Sequence, residues 1–157
     1  MTQITFVAMP TDQARALQAG GPDANGLSPE RAVSNGSGNP CRHCLRFIPE
    51  GEEMLILSHR PFPSAQPYAE TGPVFLCAEE CARWEREGPP PVLAGRGEPR
   101  LLKGYSPDDR IVYGLGKVVP AQEIAARART VLDDPRVAYV HVRSSTNNCY
   151  TCRIDKA

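Results

Sequence analysis

Residues 40–58 read PCRHCLRFIPEGEEMLILS, and residues 73–81 read PVFLCAEEC. Cys41 and Cys44 are spaced as a tight knuckle that turns two sulfurs toward one point. Pro49-Glu50-Gly51 then forces a turn between two short β-runs, so a hairpin is expected behind the knuckle. Downstream, a strand ending at Leu76 delivers Cys77 to the start of a helix expected over 78–86. Cys81 falls four residues on, on the same helical face. Tetrahedral zinc takes four such ligands at about 2.3 Å from each sulfur. The helix start would also favour the Cys77 thiolate. Cys41, Cys44, Cys77 and Cys81 are therefore expected to hold one structural zinc ion, closed to substrate. His43 and His59 are the substitutes should a cysteine drop out.

These cysteines admit two other readings. Buried, incidental thiols are common, because free cysteine behaves as a small hydrophobe. A redox pair at CRHC needs a long helix after it, and Pro49 with Gly51 leaves no room for one. The order of knuckle, hairpin and helix over residues 41–86 resembles the treble-clef class of zinc modules.

Composition sets the frame for this site. A chain of 157 residues, 41% apolar and 23% charged, suits a single domain, 1–157, with one core. Lysine plus arginine and aspartate plus glutamate both number 18, so no global field draws the chain to nucleic acid or a membrane. The arginines are scattered rather than striped. The first ten residues carry neither a basic signal region nor a membrane-length apolar run, and a cytoplasmic location is expected. In that reducing compartment six cysteines are read as ligands or thiols rather than disulfides.

Outward from the cysteines the pattern is α+β with mostly antiparallel pairing and two to three helices. Gln3 to Ala8 reads as a strand, and Thr11 to Ala19 as a helix capped at Thr11 and stopped by Gly20-Gly21. Residues 20–40 are rich in Gly, Pro, Ser and Asn and read as a flexible loop or, equally, an ordered lid. Glu53 to Ser58, Arg100 to Tyr105 and Ile111 to Leu115 read as strands. Ala121 to Leu132, entered through Pro120, has the apolar spacing of an amphipathic helix. Val137 to Arg143 and Cys149 to Ile154 form a closing hairpin turned at Asn147-Asn148.

Two further sets of residues carry chemistry. In the first hairpin strand the period of two puts Ala138, Val140 and Val142 on a core face and Tyr139, His141 and Arg143 on the other. An imidazole beside a guanidinium suits a carboxylate or phosphate, although a solvated or salt-bridged sheet face is the plainer reading. Cys149, if it lay across the hairpin from His141, would make a thiol nucleophile with Arg143 nearby. Cys149 and Cys152 point to opposite faces and cannot share a metal without a bulge. The proline-stiffened stretch RPFPSAQPYAETGP offers Arg60, Tyr68 and Glu70 as ligand-binding residues.

PCRHCLR (40–46), the run from Arg60 to Phe75, and HVRSS with Cys149 (141–149) resemble a bacterial family known as domain of unknown function 1203. The resemblance implies a compact bacterial cytoplasmic protein without an established activity. It also implies that the position of Cys77 is often histidine, still a zinc ligand type. The resulting expectation is a zinc-stabilised binding or adaptor protein, its partner an unidentified protein or small molecule. An enzyme built on Cys149, His141 and Arg143 beside the 59–73 loop is the alternative.

Overall fold

The computed structural model describes residues 2–94 and 97–157. Two antiparallel sheets carry the architecture. The larger is ordered β1 (Ile4–Val7), β8 (Tyr150–Lys156), β7 (Tyr139–Ser144), β5 (Arg100–Tyr105), β6 (Lys117–Val119). The smaller is ordered β2 (Glu30–Val33), β3 (Glu53–His59), β4 (Gly72–Cys77). Among the described residues there are three α-helices: α1 (Thr11–Gln18), α2 (Pro91–Ala94) and α3 (Ile124–Leu132). None is long and apolar enough to cross a membrane.

Alternation along the strands decides what each sheet buries. Leu102, Val140, Val142, Cys152 and Ile154 point to one face of the larger sheet, where Ala128, Val131 and Leu132 of α3 cover them. Leu55, Leu57, Val74 and Leu76 of the smaller sheet gather with Ala14 and Leu17 of α1 in a second cluster. The opposite face of the larger sheet is buried too. There Phe62 caps Tyr105 and Tyr139, and the 59–73 loop acts as its cover. The knuckle ties the two halves together: Arg42 N donates to Phe75 O at 3.2 Å, and Met9 N donates to Arg42 O at 2.9 Å.

Several expected elements form differently. The stretch 20–40 contributes β2, which pairs with β3 in register Glu30↔Ile56 to Val33↔Glu53. The two runs flanking Pro49 do not pair as a hairpin: Phe47 bridges Pro40, whereas β3 is taken by β2 and β4. Ile111 makes one bridge to Tyr105, and the residues after it turn rather than extend. The helix after Pro120 begins as a 3-10 turn, Ala121–Glu123, before α3.

The helix expected over 78–86 is absent; the chain there is irregular. Its helical hydrogen bonds have been claimed by other partners. Gln18 Nε2 donates to the carbonyls of Cys77 and Glu79, both at 2.9 Å, and Arg15 donates to that of Cys81 at 2.8 Å. Trp84 N donates to His43 O at 3.0 Å. These contacts satisfy backbone groups that a helix would have paired internally.

Candidate metal centre and adjoining pockets

The knuckle reverses because Leu45 takes a left-handed φ of 54°, with Leu45 N donating to Cys41 O at 3.0 Å. The end of β4 brings Cys77 alongside, and the irregular stretch after it returns Cys81. All four sulfurs lie within 4.8 Å of one another. Cys41 Sγ is 3.9 Å from Cys81 Sγ, and Cys44 Sγ is 4.0 Å from Cys77 Sγ. None is in a disulfide. The cluster can hold a metal ion: soft donors converge there, with Cys41 fully buried and the other three half-buried.

The four thiols shift one another in opposite directions. Hydrogen bonds from Cys44, Cys77 and Cys81 draw the Cys41 thiol far below its ordinary range, and the same sharing pushes Cys77 and Cys81 up. The Cys77 backbone N–H points at Cys41 Sγ at 3.4 Å. His43, fully buried, places Nδ1 3.1 Å from Cys81 Sγ and Nε2 2.9 Å from Thr11 Oγ1. Burial keeps that imidazole neutral by lowering its pKa. With sulfur as the acceptor, Nδ1–H is the donor and the Thr11 hydroxyl donates to Nε2. Thr11 therefore supports His43 rather than capping α1, which has no side-chain cap.

Of the residues expected to form a second site, Arg143 lies beside both His141 and Cys149, but His141 and Cys149 do not face each other. His141 pairs with Lys103 on one side and Arg153 on the other, not with Cys149. A register shift between Val142 and Arg143, followed by the turn through Asn148 at φ 58°, sets Cys149 opposite Ser144 instead. His141 is fully buried among Phe62, Tyr105, Tyr139 and Tyr150, with ring centroids 4.7–5.2 Å away. Burial, then Arg143, hold it neutral. Its Nδ1 lies 3.2 Å from Arg143, whose NH2 group is also 3.1 Å from Glu70. Cys152 is sealed in the core, where burial pushes its thiol up to about 12.

Arg60, Tyr68 and Glu70 do not share one pocket. Arg60 lines a cleft of about 750 Å³ between α1, the β1–β8 edge and β3, together with His59, Phe62, Tyr150 and Arg153. Tyr68 lies beside Tyr113 and under Arg110. Glu70 lines a smaller pocket of about 160 Å³ with His59, Arg143, Asn148, Cys149 and Tyr150. Burial alone would raise the Glu70 pKa. Hydrogen bonds from Lys103 and Tyr105 and the charge of Arg143 outweigh it and hold the carboxylate ionised.

A family model described as protein of unknown function (DUF1203) matches residues 38–156, well over half of the chain. The chain belongs to that family. The DUF1203 match opens just ahead of the knuckle and runs into the end of β8. It therefore takes in all four clustered cysteines and both walls of the smaller pocket. No curated protein and no solved structure matches the chain.

Two participants were not singled out for these roles in the sequence. Arg42 is fully enclosed, bound through Nε to Tyr150 O at 2.8 Å and through NH1 to Pro40 O at 2.7 Å, and burial lowers its pKa to about 10. His59 lines both pockets. His59 had no local signal beyond lying at the end of a strand.

Proposed function

We propose that Cys41, Cys44, Cys77 and Cys81 hold one structural zinc ion, and that this DUF1203 protein is a zinc-stabilised binding protein of the cytoplasm. The observation that carries the metal assignment is the convergence of four unpaired sulfurs backed by the buried His43–Thr11 pair. An all-thiolate tetrahedral set suits zinc and leaves no open position for a catalytic water. A binding role fits the cleft, whose volume and mixture of apolar walls with Arg60, His59 and Arg153 match a small-molecule site. Unbridged cysteines fit a reducing compartment.

Elemental mass spectrometry of untagged protein tests the metal assignment. One zinc per chain is expected, lost together with folding in the Cys41→Ser, Cys44→Ser double variant, because the metal's binding energy is folding energy. A parent protein without metal would overturn it.

A further inference from the structure

The smaller pocket holds an imbalance of charge. Glu70 supplies one negative charge, and both Lys103 and Arg143 are paired with it. Beneath the same strand end lies Arg42, enclosed, bound only to carbonyls and without a carboxylate partner among the described residues. Burial lowers the Arg42 pKa, and the nearby Cys149 and Cys41 offset part of that effect. The Glu70 group remains one positive charge in excess. Buried positive charge without a partner is costly, and an anion relieves it.

The pocket also contains an unused polar group. His59 is 6% exposed. Its ring nitrogens exchange no hydrogen bond with any described residue, and they are not sealed from the pockets that His59 lines. Arg143, 3% exposed, lies on the same wall, its NH1 on Asn148 O, its NH2 between His141 and Glu70 and its Nε sealed in the interior, so it offers the pocket its charge rather than a free N–H. Asn147 and Asn148 complete the rim with amide side chains, beside the Cys149 thiol.

We propose that the pocket bounded by His59, Arg143, Asn148 and Cys149 binds a small oxyanion, the carboxylate or phosphate group of a metabolite. Arg143 supplies fixed charge and His59 a ring N–H, the donor types that oxyanions take. Glu70 also faces the pocket, but Lys103, Tyr105 and Arg143 occupy its oxygens. A volume of about 160 Å³ admits such a group and little more. Burial first, then Arg42 and Arg143, disfavour a proton on His59 in the free protein; a bound anion offsets the two arginine charges.

This inference rests on reading the chain as a binding protein. It is tested on the full, zinc-loaded chain with sodium phosphate and sodium acetate as separate probes, against sodium chloride at matched ionic strength. The chain has three histidines, so the His59 imidazole can be followed by NMR. A saturable one-to-one shift of His59 is expected with at least one probe. Phosphate alone would name a phosphate ligand, acetate alone a carboxylate, and both a general oxyanion site. By calorimetry, Arg143→Gln should bind at least about tenfold more weakly, since the fixed positive charge on the pocket wall is lost. Because Arg143 also holds Glu70 and His141, His59→Gln serves as the second variant and should weaken binding too. Neither anion moving His59 beyond the chloride control, or both variants binding as the parent does, would overturn the inference. The zinc content of the same sample decides the metal assignment separately.

Discussion

His43 sits between the cysteine centre and α1, with Nδ1 on the Cys81 sulfur and Nε2 on the Thr11 hydroxyl. Hydrogen bonds to ligand atoms orient them and tune their basicity, so His43→Ala should weaken metal binding about 10–100-fold, measured by chelator competition. Thr11→Val, which removes only the outer contact, should cost less. A second residue-scale expectation concerns acid. Burial first, then Arg42 and Arg143, lower His59 from 6.5 to about 4. The unfolded chain therefore takes up this proton as pH falls through 6.5, while the folded chain resists until about 4. Stability from this group is complete above 6.5 and declines toward 4, with a slope of up to about 1.4 kcal/mol per pH unit. Urea midpoints at about pH 7.5 and about pH 5 should fall less in His59→Gln than in the parent. An equal fall in both would show that His59 is not a source of the acid sensitivity.

At the scale of elements, the packing of α3 on β5 is set by a glycine. A Cβ on Gly104 would lie 2.9 Å from Val131 Cγ1 and 3.2 Å from Val137 Cγ2. Gly104→Ala should therefore cost about 1–3 kcal/mol in a urea titration, as overpacking does. No such requirement is visible in the strand pattern RLLKGY, which reads as well with alanine there. The second cysteine pair offers the same lesson. Residues 78–86 have helical composition, but Arg15 and Gln18 of α1 hold the carbonyls of the 77–81 stretch, and those contacts cross more than 58 residues of sequence. Local preference gave way to tertiary hydrogen bonding. By contrast α3 was legible, because its apolar period of 3.6 coincides with the face that becomes buried, and the strand pair β7–β8 was legible from its alternation, although both faces of β7 end up buried.

Across the whole molecule, the knuckle joins two sheets, so loss of metal should be felt beyond the cysteines. Trp84 is the only tryptophan; its backbone N–H binds His43 O at 3.0 Å, and its side chain packs on the larger core. Removing the metal with a chelator should shift Trp84 emission to the red as the indole meets water. Unchanged emission from demonstrably metal-free protein would show that the knuckle is not what holds these layers together. What the sequence by itself determined was the α+β class and the four cysteines, since both rest on short-range spacing that one segment can display. Only the tertiary structure decided how Cys81 reaches the cluster, that β2 forms within 20–40, and that His141 lies away from Cys149. It also decided that His59, Arg143 and Glu70 meet at one pocket. Those outcomes depend on strand order, on one register shift and on side chains from distant segments, and no window of sequence contains them.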